Sequence, residues 1–210
     1  MAFWGAPSAD RKHALHACQA ALMCQKRLVA LNRKWRSEKK PELHTRIGLH
    51  TGEVLVGNMG SSDRINYTVL GDSVTLASRL EGTNKMYGTK VIISQEVYEL
   101  VHKDCLTRPL DIVAVKGKEK GVKIYELVAF KKGVTELLHS KKQLEFCEMF
   151  SQGFKVYLEK RWDEAIDTFQ KVNRKFGTDG TTNMYIERCK EFKQNPPKAN
   201  WDGVVHLKTK

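Results

Sequence analysis

Residues 46–80, RIGLHTGEVLVGNMGSSDRINYTVLGDSVTLASRL, decide the fold of this chain. Over 46–56 the apolar residues alternate, Ile47 with Leu49 and Val54 with Val56, and Thr51, Gly52 and Glu53 interrupt them, which predicts a tight hairpin. A polar loop around 60–64 leads into Ile65–Leu70, rich in β-branched and aromatic residues and so a strand, and Gly71-Asp72 marks the switch to a helix. Asp72 is the expected N-cap, its carboxylate accepting a bond from a first-turn amide. Leu76 and Leu80 then share one side of the helix, and Thr75 and Arg79, also four apart, share another. An arginine held in this way offers phosphate oxygens a planar, permanently charged fork. Taken alone, the same residue is more often a solvated surface arginine.

Outward from this stretch the chain reads as α+β. Residues 1–5 read as the end of a strand, and Pro7-Ser8 opens a helix running to about Trp35. A short strand at 90–93, a helix capped by Ser94 through Val101, and strands near 110–115 and 122–128 follow. From about Gly133 the pattern becomes helical. Gly153, Ala165 and Phe169, with Tyr157 and Trp162 nearby, fall close to the offsets of small and aromatic residues in a tetratricopeptide unit, so this part resembles one degenerate repeat. A third helix at 182–192 is expected to cover its exposed side, and a single repeat is expected to dock on the preceding domain or on its own copy in a dimer. Pro196-Pro197 ends the helices, and Trp201-Asp202-Gly203 begins a tail.

Composition bounds the function. The chain has 210 residues, a formal net charge of +12 and 41% hydrophobic residues, ordinary for a folded protein able to bury a core. Lysine and arginine concentrate at 33–40, 116–123 and 131–142, with Trp35 as the single aromatic among them and without a nucleic-acid module, so a basic surface attracting small anions or an anionic membrane is favoured over nucleic-acid binding. No apolar run approaches the roughly 18 residues of a spanning helix, which makes a cytoplasmic location the expectation, with a membrane reached only through upstream regions. Five cysteines, widely spaced and without a C-x-x-C pair, read as reduced thiols, Cys18 among them at core spacing with Leu15, Leu22 and Val29. Neither they nor the seven histidines cluster as zinc ligands would. Asp10, Asp63, Asp104 and Asp111 read as turn or surface residues.

Several motifs in order then resemble the class III nucleotidyl cyclase catalytic domain, and most closely bacterial adenylate cyclases. They are M-A-F-W-G-A-P at the start, R-I-G-L-H-T-G-E-V-L-V-G-N-M-G, Y-T-V-L-G-D-S-V-T-L-A-S-R-L-E-G, and V-K-G-K followed by I-Y-E-L. The resemblance covers residues 1 to about 130. It implies a ferredoxin-like core, conversion of a nucleoside triphosphate to the 3′,5′-cyclic monophosphate and pyrophosphate, and sites formed across a head-to-tail dimer. Arg79 matches the family arginine that stabilises charge at the transferring phosphorus. Thr75 stands where the family has a ribose-orienting asparagine, and its hydroxyl is shorter, with one donor where the amide has two. Thr68 falls at the base-selecting position and favours adenine, making ATP the implied substrate. Lys116 matches the lysine that contacts the terminal phosphates.

The family uses two divalent cations, magnesium or manganese, held by two aspartates. The first belongs to an early strand and the second to a G-D motif just ahead of the residues matching Met1-Ala2-Phe3, so neither falls in this sequence. The expectation is an incomplete cyclase domain over 1–130, inactive alone, with a helical extension and tail over 131–210. Its uncovered sheet edges are expected to make the chain poorly soluble or prone to aberrant pairing. The alternative is a non-catalytic cyclase-like module that binds a complete partner or recruits another protein through its helices.

Overall fold

In the strand Val91–Ser94 all four residues are buried, without alternation, because helices cover both faces of the sheet it runs through. The computed structural model describes residues 1–61, 63–114, 121–198 and 200–206. Its elements are α1 (His13–Ser37), β1 (Ile47–Leu49), β2 (Leu55–Gly60), β3 (Ile65–Leu70), α2 (Asp72–Tyr87), β4 (Val91–Ser94), α3 (Gln95–Val101), β5 (Cys105–Ala114), β6 (Val122–Phe130), a 3-10 turn (Thr135–Leu137), α4 (Lys141–Leu158), α5 (Trp162–Phe176), α6 (Gly180–Gln194) and β7 (Val204–His206). Five strands form one sheet in the order β1-β4-β6-β5-β7, and β2 with β3 forms a separate two-stranded ribbon. β1 runs parallel to β4, and β7 parallel to β5; the β4–β6 and β5–β6 pairs are antiparallel.

One face of the sheet carries α1 and α3. Cys18, Leu22, Val97 and Val101 pack there on Leu49, Ile93, Tyr125 and Leu127. The other face carries α2, whose Leu76, Leu80 and Tyr87 pack on Ile92, Leu110, Val113 and Ile124. Each large side chain so buried contributes about 1.5–3 kcal/mol, which is what fixes the two helical layers. A bulge in β6 reconciles two packing environments: Leu106 pairs with Ala129 and Thr107 with Leu127, so Val128 is the extra residue. Alternation therefore switches, and Ala129 joins Leu106 against Cys147 of α4.

The helical part α4–α6 continues the α2 layer. Ser140 and Gln143 start α4 with reciprocal capping bonds. Gly153 lies directly against the Phe169 ring, letting α4 and α5 approach closely. The guanidinium of Arg108, 3% exposed, lies between the rings of Phe146 and Phe150, each 4.8 Å away, and bridges Glu126 on β6 and Asp179. Asp179 is the N-cap of α6, accepting from the Thr182 amide at 2.9 Å. A strand side chain thus holds the start of the last helix.

Several sequence expectations need correction. The predicted hairpin at 46–56 does not form: β1 joins β4 in the main sheet, and the hairpin is β2–β3, closed by a turn in which the Ser61 amide donates to the Arg64 carbonyl at 3.1 Å. Alternation found β1 and only the first two residues of β2, and it could not choose their partners. Residues 1–5 form no strand, and α1 begins at His13. Asp72 is the first residue of α2; the N-cap is Gly71, at φ 142°, without a side-chain bond. Asp111, expected at a turn or surface, is 1% exposed. The tail expected after Pro197 supplies β7, an added strand on the β5 edge.

Candidate functional site

β3 runs into α2 across a single glycine whose positive φ a side chain would disfavour, so the reversal from ribbon to helix is tight. Asp72 then lies in the first turn, where a negative charge complements the unpaired amides. Thr75 follows, exposed, and Arg79 lies one turn further on, half-buried. Thr68 is half-buried on β3, opposite Gly57 of β2. The structure thus brings Thr75 and Arg79 onto one side of α2 and sets Thr68 on the strand that leads into it. Lys116 lies outside the described residues; the strand preceding it, β5, is paired with β7 over its last three residues.

What holds α2 is closer packing than the sequence indicated. A Cβ on Gly48 would lie 2.3 Å from the Ala77 carbonyl oxygen and from the Glu81 nitrogen, so β1 passes against the helix backbone and admits only glycine. The buried Asn84 side chain donates to the carbonyls of Ile47 at 3.0 Å and Leu80 at 3.0 Å, and accepts from Thr89 Oγ1 at 2.9 Å. Arg46 and Glu81 close the outer side. At the far end the Tyr87 hydroxyl donates to Asp111 Oδ2 at 2.7 Å. Burial, together with the Asp111 charge, pushes the Tyr87 phenol far above its usual range and keeps it a donor. Sequence reading missed these anchors, although an amide four residues after Leu80 and a carboxylate inside the apolar run LDIVAV are the signals that mark them.

The loop between β1 and β2 is held by histidines. His50 Nδ1 lies 2.8 Å from Ser94 Oγ and 3.5 Å from Glu96, and His13 Nε2 lies 2.8 Å from Thr51 Oγ1. These are structural roles. The N-terminal segment reaches the ribbon, with the Phe3 and Tyr67 rings 6.0 Å apart.

Two surface cavities stand out, and neither is lined by Thr68, Thr75 or Arg79. One, of about 130 Å³, lies between α1, residues 43–46 and residues 89–90; the other, of about 530 Å³, is an open depression along α6. Thr75 is exposed and Thr68 and Arg79 are half-buried, outside both cavities. A pair of divalent cations needs several carboxylate oxygens, and among the described residues no group of three or more histidines, cysteines or acidic residues gathers. Asp111 is engaged by Tyr87 and Arg188, and Glu81 by Arg46. The described residues do not fit such a pair.

Residues 1–129 match the family described as the adenylate and guanylate cyclase catalytic domain. The chain belongs to this family. The cyclase match includes Thr68, Thr75, Arg79 and Lys116. Over 133 residues, 63% of this chain, it is 44% identical to adenylate cyclase 1 of Rhizobium meliloti, and it spans 20% of that relative's length. Among solved structures it is similar to the adenylyl cyclase CyaB of P. aeruginosa, with TM-score 0.55 and 31% identity over 64% of this chain and 67% of that one. It is also similar to the guanylyl cyclase Cya2, with TM-score 0.56 and 29% identity over 65% of this chain and 68% of that one. The cyclase fold is thus the α+β architecture expected from the sequence. No helix among the described residues is long and apolar enough to cross a membrane.

Proposed function

We propose that this chain supplies the nucleotide-orienting, charge-stabilising wall of an adenylate cyclase site that converts ATP to 3′,5′-cyclic AMP and pyrophosphate in cytoplasmic signalling. In that reaction the ribose 3′-hydroxyl gives up its proton to water as its oxygen bonds to the α-phosphorus, the bond from that phosphorus to the oxygen shared with the β-phosphorus breaks, and pyrophosphate leaves with the electron pair. The Arg79 guanidinium donates to the oxygens that gain charge as this happens, where a fixed donor is worth most. Thr75 bonds the ribose, Thr68 accepts from the adenine amino group, and Lys116 pairs with the terminal phosphates. Divalent cations would supply charge neutralisation at the phosphates, held by carboxylates of a second cyclase chain.

The observation that carries the reading is the placement of Thr75 and Arg79 one turn apart on a helix pinned at Gly48, Asn84 and Tyr87 inside the family-matched segment. A wall without carboxylates needs a second wall, so the reading pairs this chain head-to-tail with its own copy or another cyclase chain. The exposed Leu55, Ile65, Tyr67 and Leu70 on the ribbon support such pairing. Residues 1–130 are read as the cyclase part and 131–210 as a helical extension around one tetratricopeptide-like unit.

The test mixes the chain with a cyclase domain that retains its metal-binding carboxylates but has its own matching arginine replaced by alanine, in ATP and manganese. Cyclic AMP formation is expected from the mixture, and Arg79→Ala in this chain should lower it by about 100-fold to 1000-fold. Turnover unchanged by Arg79→Ala would remove the assignment.

A further inference from the structure

We infer that α6 is a positioning element for α2, setting the angle at which that helix holds Thr75 and Arg79. The inference rests on the nucleotide-site reading only in naming what α2 presents. Its geometry is independent of that reading.

Tyr87 is the last residue of α2 and 1% exposed, and Gly88 in the left-handed conformation ends the helix immediately after it. Its carbonyl oxygen accepts from Thr181 Oγ1 of α6 at 2.7 Å, in a fully buried contact spanning 94 residues of chain. Its hydroxyl donates to Asp111 Oδ2, and the same oxygen accepts from Arg188 Nη1 of α6 at 2.8 Å. The Tyr185 hydroxyl of α6 donates to the Leu110 carbonyl at 2.6 Å, next to Asp111. Met184 packs against the Leu76, Leu80 and Tyr87 cluster. One side of α6 thus grips both the end of α2 and the strand beneath it.

The grip satisfies groups that have no alternative. A buried helix end leaves carbonyls without intrahelical partners, and the Tyr87 carbonyl obtains one from another element. The Asp111 carboxylate, buried in an apolar strand run, needs a cation, and Arg188 is the one that reaches it. Arg188 is itself held over the Tyr185 ring at 4.9 Å.

The lever is short. Arg79 lies eight residues before Tyr87, about 12 Å along the helix axis at 1.5 Å per residue. A tilt of about 5° at the Tyr87 end displaces Arg79 by about 1 Å, a misplacement that costs about 100-fold in a reaction governed by orientation. Thr181 and Tyr87 are therefore positioning residues.

The test uses the full chain with Thr181→Val, which keeps the shape and removes the hydroxyl, and Gly153→Ala as a control. In Gly153→Ala the new Cβ meets the Phe169 ring at 2.8 Å and strains the α4–α5 contact without touching α2. Amide exchange over residues 72–80 and ATP affinity by titration are measured well below the melting temperature of each variant. Thr181→Val is expected to speed exchange over 72–80 by tenfold or more and to weaken ATP binding by severalfold. Gly153→Ala should lower the melting temperature while leaving both unchanged. Exchange over 72–80 unchanged by Thr181→Val, or changed equally by both variants, overturns the inference. If Arg79→Ala leaves cyclic AMP formation in the mixture with a complementary cyclase domain unchanged, the nucleotide reading fails instead, and the exchange comparison still decides the coupling of α6 to α2.

Discussion

The ribbon β2–β3 and the seam between α6 and the sheet are built on opposite principles. On the ribbon, Leu55 and Leu70 pair across the two strands with 73% and 56% of their surface exposed, and Ile65 and Tyr67 are exposed beside them. At the seam, charged Arg108, Asp111 and Arg188 are withdrawn from solvent and each finds an oppositely charged partner. The ribbon holds the most recognisable sequence and the least self-contained packing. The seam reads in sequence as ordinary helix and strand, yet it sets how the molecule is joined. Surface for a partner can stay apolar and local, whereas an internal joint between distant segments must pair the charges it buries.

The largest effect is expected at the seam. Arg108→Ala leaves Glu126 and Asp179 without their cation and empties the space between Phe146 and Phe150, at a cost of about 3–5 kcal/mol. Chemical denaturation should show it, with α4–α6 losing amide protection before β4 does. A loss under about 1 kcal/mol would mean that Arg108 does not join α4–α6 to the sheet.

A smaller effect is expected in acid. Burial pushes the Asp179 carboxyl up, but the hydrogen bonds and charge of Arg108, with the bonds from Thr182, outweigh it and leave the carboxyl below its ordinary value of 3.8. The folded state thus favours the ionised form. Its contribution is complete above pH 3.8 and is lost as the pH falls from there through the lower folded value. Tryptophan fluorescence of the α6 region across that range should report a loosening, and Asp179→Asn, which keeps a good cap, should remove its acid-dependent share.

The smallest effect on stability is expected on the ribbon. Leu55→Ser with Leu70→Ser should change unfolding free energy by within about 0.5 kcal/mol each, as for exposed sites. Self-association in sedimentation should nevertheless weaken. A marked loss of stability with unchanged association would reverse the contrast between the two regions.

Much of the candidate site was legible because it is local. The strand Ile65–Leu70, the break at Gly71 and the helix bearing Thr75 and Arg79 lie within 23 residues of one another and follow from short-range pattern and the family motifs. Its support was less legible. Asn84 reads as a polar interruption until Ile47 and Thr89 are seen around it, and Asp111 reads as a surface carboxylate until Tyr87 and Arg188 close on it.

The sequence alone determined the positions of most strands and helices, which face of α2 is apolar and which family supplies the motifs, because periodicity and turn chemistry act over a few residues. Only the tertiary structure decided that β1 pairs with β4 instead of β2, that β7 returns to the β5 edge, and that α6 grips the end of α2. Any strand edge offers the same amides and carbonyls to any other, so partners are chosen by which arrangement buries both sheet faces and leaves no buried charge unpaired.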